Sequence, residues 1–464
     1  MARSHEPHSS KPRGENFRRG SQKTKSKPGF AARRLAVEAL AGVLSHGRPL
    51  EEAFETASSH DKLKDLEPRD RAFARLIVMT VLRRKGELKK VLDTFLTRDL
   101  PNRSGRLSEI LLSASAQLLM LDTPAHAAIS LAVDQCRTDR DGQHFAGLAN
   151  AVLRRVAAEG PAILAASDAI ALNTPAWLLT RWRQHYGDDV ATKIAKCSLI
   201  EAPLDISTKS DQAGWAQRLD GTVLPTGSVR RASGGRVEDL TGFAEGEWWV
   251  QDAAAALPAR LLGDVSGKTV VDICAAPGGK TAELANAGAR VTAVDVSAVR
   301  IKRLEENMRR LKLDAEIVEA DVTSWAPDKL FDAVLLDAPC SATGTIRRHP
   351  DILHLKRAGD IATLAKVQER FSDAAAKLVK PGGLFVYCTC SLEPEEGELQ
   401  LHRFLERHPE FARVPLKPGE FGIVAECITP NGDLRTLPCH MDELETMPGG
   451  MDGFFASRVQ RVSR

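Results

Sequence analysis

The chain has 464 residues, 43% hydrophobic, 27% charged and only 5% aromatic, with a formal net charge of +3; this suffices for two or three globular domains and argues against a single fibrous or repeat array. Its eight cysteines are scattered with no C-x-x-C pair, which argues against a secreted disulfide scaffold and for a reducing compartment. The N-terminus has no apolar signal core and no run of ~18 apolar residues reads as a membrane span, so a soluble, cytoplasmic protein is expected.

In chain order, the first segment is a basic tail. Residues 1–34 carry ten Lys or Arg against Glu6 and Glu15. The tail over residues 1–30 cannot bury a core, so disorder is expected, with its charge drawn to nucleic-acid phosphates. From Ala31 apolar residues recur three and four apart in "ARRLAVEALAGVL", "DRAFARLIVMTVLRRKGELKKVLDTFL", "LSEILLSASAQLLML" and "FAGLANAVLRRVAAE". That period predicts an all-helical domain over residues 31–165. "NTPAWLLTRWRQHYG" adds a helix with Asn173 or Thr174 as its cap and Pro175 in its first turn. "APLDISTK", "GTVLPTG" and "EWWVQDAAA" read as short strands and turns, placing a small α+β linker domain over residues 166–245.

Over residues 246–464 strand and helix alternate. "KTVVDICAAPGGK", "ARVTAVDVS", "DAEIVEADV", "FDAVLLDAPC" and "GGLFVYCTCS" are apolar runs of strand length, separated by helical stretches such as "AVRIKRLEENMRRLKL" and "IATLAKVQERFSDAAAKLV". This predicts an α/β domain with a doubly wound, mostly parallel sheet. Ligands of such sheets sit outside the carboxyl ends of the strands. The candidates there are Asp272, the loop Cys274–Lys280, Asp295, Asp321, Asp337 with Cys340, and Cys390.

"DICAAPGGK" follows a strand and opens a helix, yet the chain has neither G-x-G-x-x-G nor G-x-x-x-x-G-K-[ST], which disfavours dinucleotides and nucleoside triphosphates. Cys274, Ala275, Ala276, Pro277, Gly278 and Gly279 form a loop where backbone can approach a ligand closely. Asp295 ends the second strand, seventeen residues past Gly278, and is placed to accept both hydroxyls of a ribose. A ribose without a required pyrophosphate suits S-adenosylmethionine, with Asp321 near the adenine edge. Lys280 opens the following helix and is expected to contact the methionine carboxylate or orient the catalytic loop.

The stretches "DICAAPGGKTAEL", "VDVSAVRIKRL", "LLDAPCSATGTIRRHPDI", "CTCSLEPEEGE" and "MDGFF" resemble the RNA 5-methylcytosine methyltransferases, most closely the RsmB (Fmu/Sun) type. The resemblance spans residues from about 30 to 460. It implies a Rossmann-like methyltransferase domain, a NusB-like RNA-binding helical domain, S-adenosylmethionine as methyl donor and a cytosine of small-subunit ribosomal RNA as acceptor. A monomer without a metal is expected.

Carbon 5 of cytosine is a poor nucleophile, so a thiolate must first add to carbon 6, and a base must later remove the carbon 5 proton. The fourth and fifth strands of this topology are neighbours, so Cys340 and Cys390 can converge on one base. The resemblance implies Cys390 as nucleophile, Cys340 as the residue assisting release, Asp337 as the group that holds and protonates the cytosine ring nitrogen, and Arg300 near the cofactor. A helical ion pair of Arg300 with Glu305 or Glu306 is the alternative. Cys388 is expected to be a small buried residue one pleat below Cys390. Arg347 and Arg348 are expected to meet the phosphates flanking a flipped-out nucleotide, and His349 to be structural. A zinc site on Cys340, Cys388 and Cys390 lacks C-x-x-C spacing. Two readings from other classes remain beside the enzyme: a non-catalytic RNA-binding ribosome-assembly factor on the same fold, and a nicotinamide-dependent oxidoreductase.

Overall fold

The structure, a computed structural model, describes residues 1, 27–60, 63–64, 66–101, 103–232, 234–442 and 449–462. The expected disordered tail falls almost wholly on residues 2–26, outside the described residues.

Helices fill the chain from Phe30 to Asn173, the longest being Pro68–Phe95 and Ala146–Ala165. Their apolar positions interlock in one core, where Leu35, Leu40, Ile77, Val81, Leu88, Leu111 and Leu153 are buried; each contributes roughly 1.5–3 kcal/mol by leaving water. The next helix spans Ala176–Tyr186 with Pro175, not Asn173 or Thr174, at its N-cap. Asn173 is spent elsewhere: its amide donates to Glu87 Oε2 (2.6 Å) and the Ala169 carbonyl (2.8 Å), and its Oδ1 accepts the Glu87 N–H (3.2 Å).

A small antiparallel sheet follows, built from β1 (Leu204–Thr208), β2 (Thr222–Val223), β3 (Val229–Arg231) and β4 (Trp248–Val250) in the order β2-β3-β1-β4. Ile206, Trp215, Val229 and Trp248 form its core.

The large sheet holds β5 (Thr269–Ile273), β6 (Arg290–Asp295), β7 (Glu316–Glu319), β8 (Phe331–Asp337), β9 (Val379–Thr389), β10 (Phe411–Arg413), β11 (Leu434–Thr436) and β12 (Phe454–Arg461). Its order is β10-β12-β9-β8-β5-β6-β7, with β11 also on β12. β5 to β9 run parallel, and β12 closes antiparallel on β9. Val270, Val271 and Ile273 of β5 and Val334, Leu335 and Leu336 of β8 are all buried, as expected of parallel strands covered on both faces. The helix Ala298–Leu311 buries Ile301, Leu304, Met308 and Leu311 at intervals of three and four, and Ser297 caps it by accepting the Arg300 N–H (3.4 Å).

The chain winds from β5 outward through β6 and β7, then returns to β8 on the other side of β5. The crevice opens between the carboxyl ends of β5 and β8, where strand order reverses.

Candidate active site

A cavity of about 320 Å³ lies at that crevice, lined by residues that include Cys274, Asp295, Arg300, Asp321, Asp337, Cys340 and Cys390. Its size falls at the lower end of the roughly 300–1,000 Å³ range of small-molecule sites. Two halves can be distinguished by their chemistry.

The first half surrounds Asp295. Backbone N–H groups of Ala276 (to Oδ2, 3.2 Å) and Ser297 (to Oδ1, 3.1 Å) fix its buried carboxylate. Arg300 lies 3.4 Å from Oδ2 and also donates to the Ala276 carbonyl, so its partner is Asp295 rather than Glu305 or Glu306. Gly278 turns the loop at φ 103°, where a Cβ would stand 2.5 Å from Leu304 Cδ1; the turn needs glycine for both reasons. Asp321 folds its Oδ1 onto the N–H (2.9 Å) and hydroxyl (2.8 Å) of Thr323, which hold its carboxyl below the usual range. Val322, Ala320 and Phe371 supply apolar wall. This combination of a fixed acid, a second acid and an apolar wall fits a nucleoside-bearing cofactor.

The second half joins three strand ends. Cys340 and Cys390 face each other with their sulfurs 3.4 Å apart. The hydrogen bond to Cys390, with burial, pushes the Cys340 thiol well up, and either sulfur can be the donor of the bond between them. Asp337 Oδ2 pairs with Lys280 Nζ at 2.8 Å. Burial works against the Lys280 ammonium, but Asp337 and its other anionic neighbours override it and hold the group above its ordinary range. Lys280 is 8% exposed, and its ammonium also lies 5.1 Å from the Phe454 ring centre, where the ring face attracts a cation. It is therefore no solvated first-turn lysine.

Cys388 is fully buried, and β9 sets it opposite Asp337 in register. Its S–H donates to Asp337 Oδ1 at 3.6 Å. The strand reading anticipated the burial but not this contact. Asp272, at the end of β5, is also buried and accepts the Thr281 hydroxyl (2.6 Å); burial pushes its carboxyl up to about 7.

The phosphate role expected of Arg347 and Arg348 is overturned. Arg347 is 2% exposed, and it bridges Asp252 (2.6 Å) and Asp452 (2.7 Å). Arg348 pairs with the same Asp252 (2.6 Å) and with Asp452 (3.3 Å). A basic pair after Cys340 reads as a phosphate clamp only while its acidic partners, 95 and 105 residues distant from Arg347, go unseen. His349 beside them is exposed.

Sequence reasoning also passed over Glu396, Ser341, Ser391 and Gln368, all buried behind the two cysteines. The acidic run "EPEEGE" after Cys390 was their only trace.

Among the described residues one group, Glu426, Cys427 and His440, gathers metal-type donors within 4.8 Å. There the Cys427 S–H meets His440 Nδ1 at 3.2 Å, and the same nitrogen accepts the Leu437 N–H at 3.2 Å. Burial pushes the Cys427 thiol up to about 12. Nδ1 of His440 is thus already engaged by two neighbours.

Residues 259–460 match the family model for 16S rRNA methyltransferase RsmB/F, and residues 31–158 match the NusB family. The chain is 37% identical over 442 residues to ribosomal RNA small subunit methyltransferase B of Xylella fastidiosa (strain 9a5c), covering 92% of this chain and 99% of that protein. It is 36% identical over 417 residues to the same-named protein of Xanthomonas campestris pv. campestris, covering 86% and 92% of the two chains. Its fold is similar to the crystal structure of PH0851, at a TM-score of 0.73 and 24% identity over 94% of this chain and 99% of that one. With this site on this fold, and a relative more than one-third identical across nearly its whole length, the chain belongs to the ribosomal RNA small subunit methyltransferase B family.

Proposed function

We propose that this chain methylates carbon 5 of a cytosine in small-subunit ribosomal RNA, with S-adenosylmethionine as donor and a covalent cysteine adduct at cytosine carbon 6. Methylation of ribosomal RNA follows from family membership. The adduct and the residue roles are our reading, and the observation that carries them is the 3.4 Å approach of Cys340 and Cys390 at the mouth of a cavity that also holds Asp295 and Asp337.

S-adenosylmethionine supplies an electrophilic methyl on a sulfonium. In this reading Asp295 and Asp321 hold its ribose and adenine sides, Arg300 braces Asp295, and the loop Cys274–Lys280 lies along the rest. Cys390, its thiol proton given up to solvent, forms a bond to carbon 6 as Asp337 delivers a proton to the ring nitrogen, so the ring becomes electron-rich at carbon 5 without carrying full negative charge. Asp337 enters the step protonated, and Lys280 at 2.8 Å offsets the charge of the carboxylate left once the proton is given. After methyl transfer a base removes the carbon 5 proton, the carbon–sulfur bond breaks with its electrons on the Cys390 sulfur, and the ring nitrogen's proton returns to Asp337. Cys340 beside the ring assists this release.

The division into a basic tail (1–30), an RNA-binding helical unit (31–165), a linker unit (166–245) and a methyltransferase unit (246–464) belongs to the same reading, as does a cytosolic site of action; among the described residues no helix is long and apolar enough to cross a membrane.

The test replaces each cysteine in turn. Cys390→Ala abolishes methyl transfer and forms no adduct, whereas Cys340→Ala forms the adduct and accumulates it, so that protein and RNA migrate together on a denaturing gel. Absence of a covalent complex in both variants, or exchanged behaviour, refutes the assignment.

A further inference from the structure

Behind the two sulfurs lies a carboxylate that the chemistry above does not use. Glu396 is fully buried. Its Oε1 accepts the Ser341 N–H (2.9 Å) and the Gln368 side-chain amide (3.0 Å). Its Oε2 accepts the Ser391 hydroxyl (2.5 Å) and the Ser341 hydroxyl. Four donors thus meet the roughly four lone-pair positions of one carboxylate. All four are neutral, so this is not an ion pair placed to offset burial of the charge. Three of the four share a position. Ser341 directly follows Cys340, and Ser391 directly follows Cys390.

The Gln368 amide also donates to the Pro339 carbonyl (3.0 Å), on the other side of Cys340. The Tyr387 hydroxyl, three residues before Cys390, lies 2.8 Å from the Glu396 carbonyl. Each cysteine is therefore held through the residues flanking it, and both holds end at Glu396.

We infer that Glu396 is a positioning residue for the two-cysteine chemistry: its carboxylate fastens the loop behind Cys340 to the loop behind Cys390 and so sets the separation of the two sulfurs. The inference rests on the roles assigned above to Cys390 and Cys340. The chemistry asks for such a device because the two sulfurs must serve adjacent atoms of one ring, and they arrive on loops after different strands, 50 residues apart. A carboxylate suits the task because it is acceptor-only. An amide there turns an NH₂ against existing donors and loosens one of the two loops. The Cys340 thiol is pushed up chiefly by its hydrogen bond to Cys390 and by burial, and the Glu396 charge adds in the same direction.

The experiment uses the full chain, with ribosomal RNA as substrate and S-adenosylhomocysteine as the binding probe. Glu396→Gln is expected to keep its melting temperature shift with S-adenosylhomocysteine and a KM for RNA close to wild type, while kcat falls about a hundredfold, the scale of a ~1 Å misplacement of reacting groups. Glu396→Asp, which restores the charge on a shorter arm, recovers part of that loss. Introduced into the Cys340→Ala chain, Glu396→Gln slows adduct formation in a single turnover by a similar factor. A wild-type kcat in Glu396→Gln, or a loss of cofactor binding that parallels the loss of kcat, overturns the inference. Should Glu396→Gln not fold, Ser391→Ala removes one donor and leaves the carboxylate three; it is expected to lower kcat about tenfold at unchanged KM, and wild-type turnover there overturns the inference equally. Failure of the cysteine assignment looks different: Cys340→Ala alone then yields no adduct. A normal adduct in Cys340→Ala, undiminished when Glu396→Gln is added, refutes the positioning role alone.

Discussion

Lowering the pH is expected to loosen the helical unit from the loop that carries Cys340, and one histidine sets the size of the effect. His354 Nε2–H donates to the Leu82 carbonyl at 2.7 Å, across the junction between that loop and the helical unit. Burial pushes its imidazole down to about 4 from the ordinary 6.5, with Lys85 adding to the shift and the Leu82 bond and Asp351 opposing it. A depressed folded pKa means that the unfolded chain takes up a proton near pH 6.5 while the native chain refuses it. The stabilisation is complete above about pH 6.5 and drains away as pH falls towards 4. At about pH 5 the two pKa values give a loss of about 2 kcal/mol relative to neutral pH, at 1.36 kcal/mol per unit. Denaturant unfolding near neutral pH and near pH 5 should therefore show that the wild-type chain loses about 2 kcal/mol more than His354→Gln, which keeps an N–H donor but does not titrate. Imidazole NMR should find one histidine titrating near 4. Equal pH slopes in the two chains, or a His354 signal titrating near 6.5, refute the argument.

Asp295→Ala removes the acid that two backbone N–H groups and Arg300 hold in place, and should weaken S-adenosylhomocysteine binding by calorimetry on the order of 2–4 kcal/mol with RNA affinity retained; equal loss of both points to unfolding instead. Asp252→Ala leaves buried Arg347 and nearly buried Arg348 with Asp452 as the main remaining acid and should cost about 3–5 kcal/mol in denaturant unfolding; a cost below about 1 kcal/mol means that the cluster is not what secures this loop.

Much of this architecture was legible because it rests on local rules. The parallel strands announced themselves as unbroken apolar runs ending in Asp295, Asp337 and the Cys-Thr-Cys stretch, and the switch-point rule placed those ends at one crevice. The antiparallel edge was harder. β12 reads "FFASRVQR", whose burial follows from its place between β9 and β10 and not from its own pattern. The misread residues share one cause, which is that their partners are distant. Arg347 and Arg348 looked like a surface pair because charge on a loop is ordinarily solvated, and only tertiary structure brings Asp252 and Asp452 beside them. Cys388 was legible as buried from strand alternation, but its bond to Asp337 depends on the β8–β9 register. Glu396 sat in an acidic, turn-rich run whose composition suggests water, yet it is sealed in by residues of three separate segments.

These distant contacts converge on the stretch from Cys340 to Leu355. The helical unit meets it through His354, through the Arg83 guanidinium on the Arg347 carbonyl (3.0 Å) and through the Leu50 N–H on Asp351 (3.1 Å). The helices around Trp182 pack against its Ile346 and Leu353. Gly344 lies so close to Gly453 that a Cβ on either would stand within 3 Å of the other's backbone, which explains why "MDGFF" belongs with the cysteine motifs although it lies near the far end of the sequence. A loop bonded on every side loses little further entropy when it must hold one geometry, and a pair of sulfurs with the roles proposed above gains from that in proportion to how narrowly the reaction tolerates misplacement. The helical unit is therefore part of the site's construction as well as a separate module: its own helices brace the strand-end loop that carries Cys340.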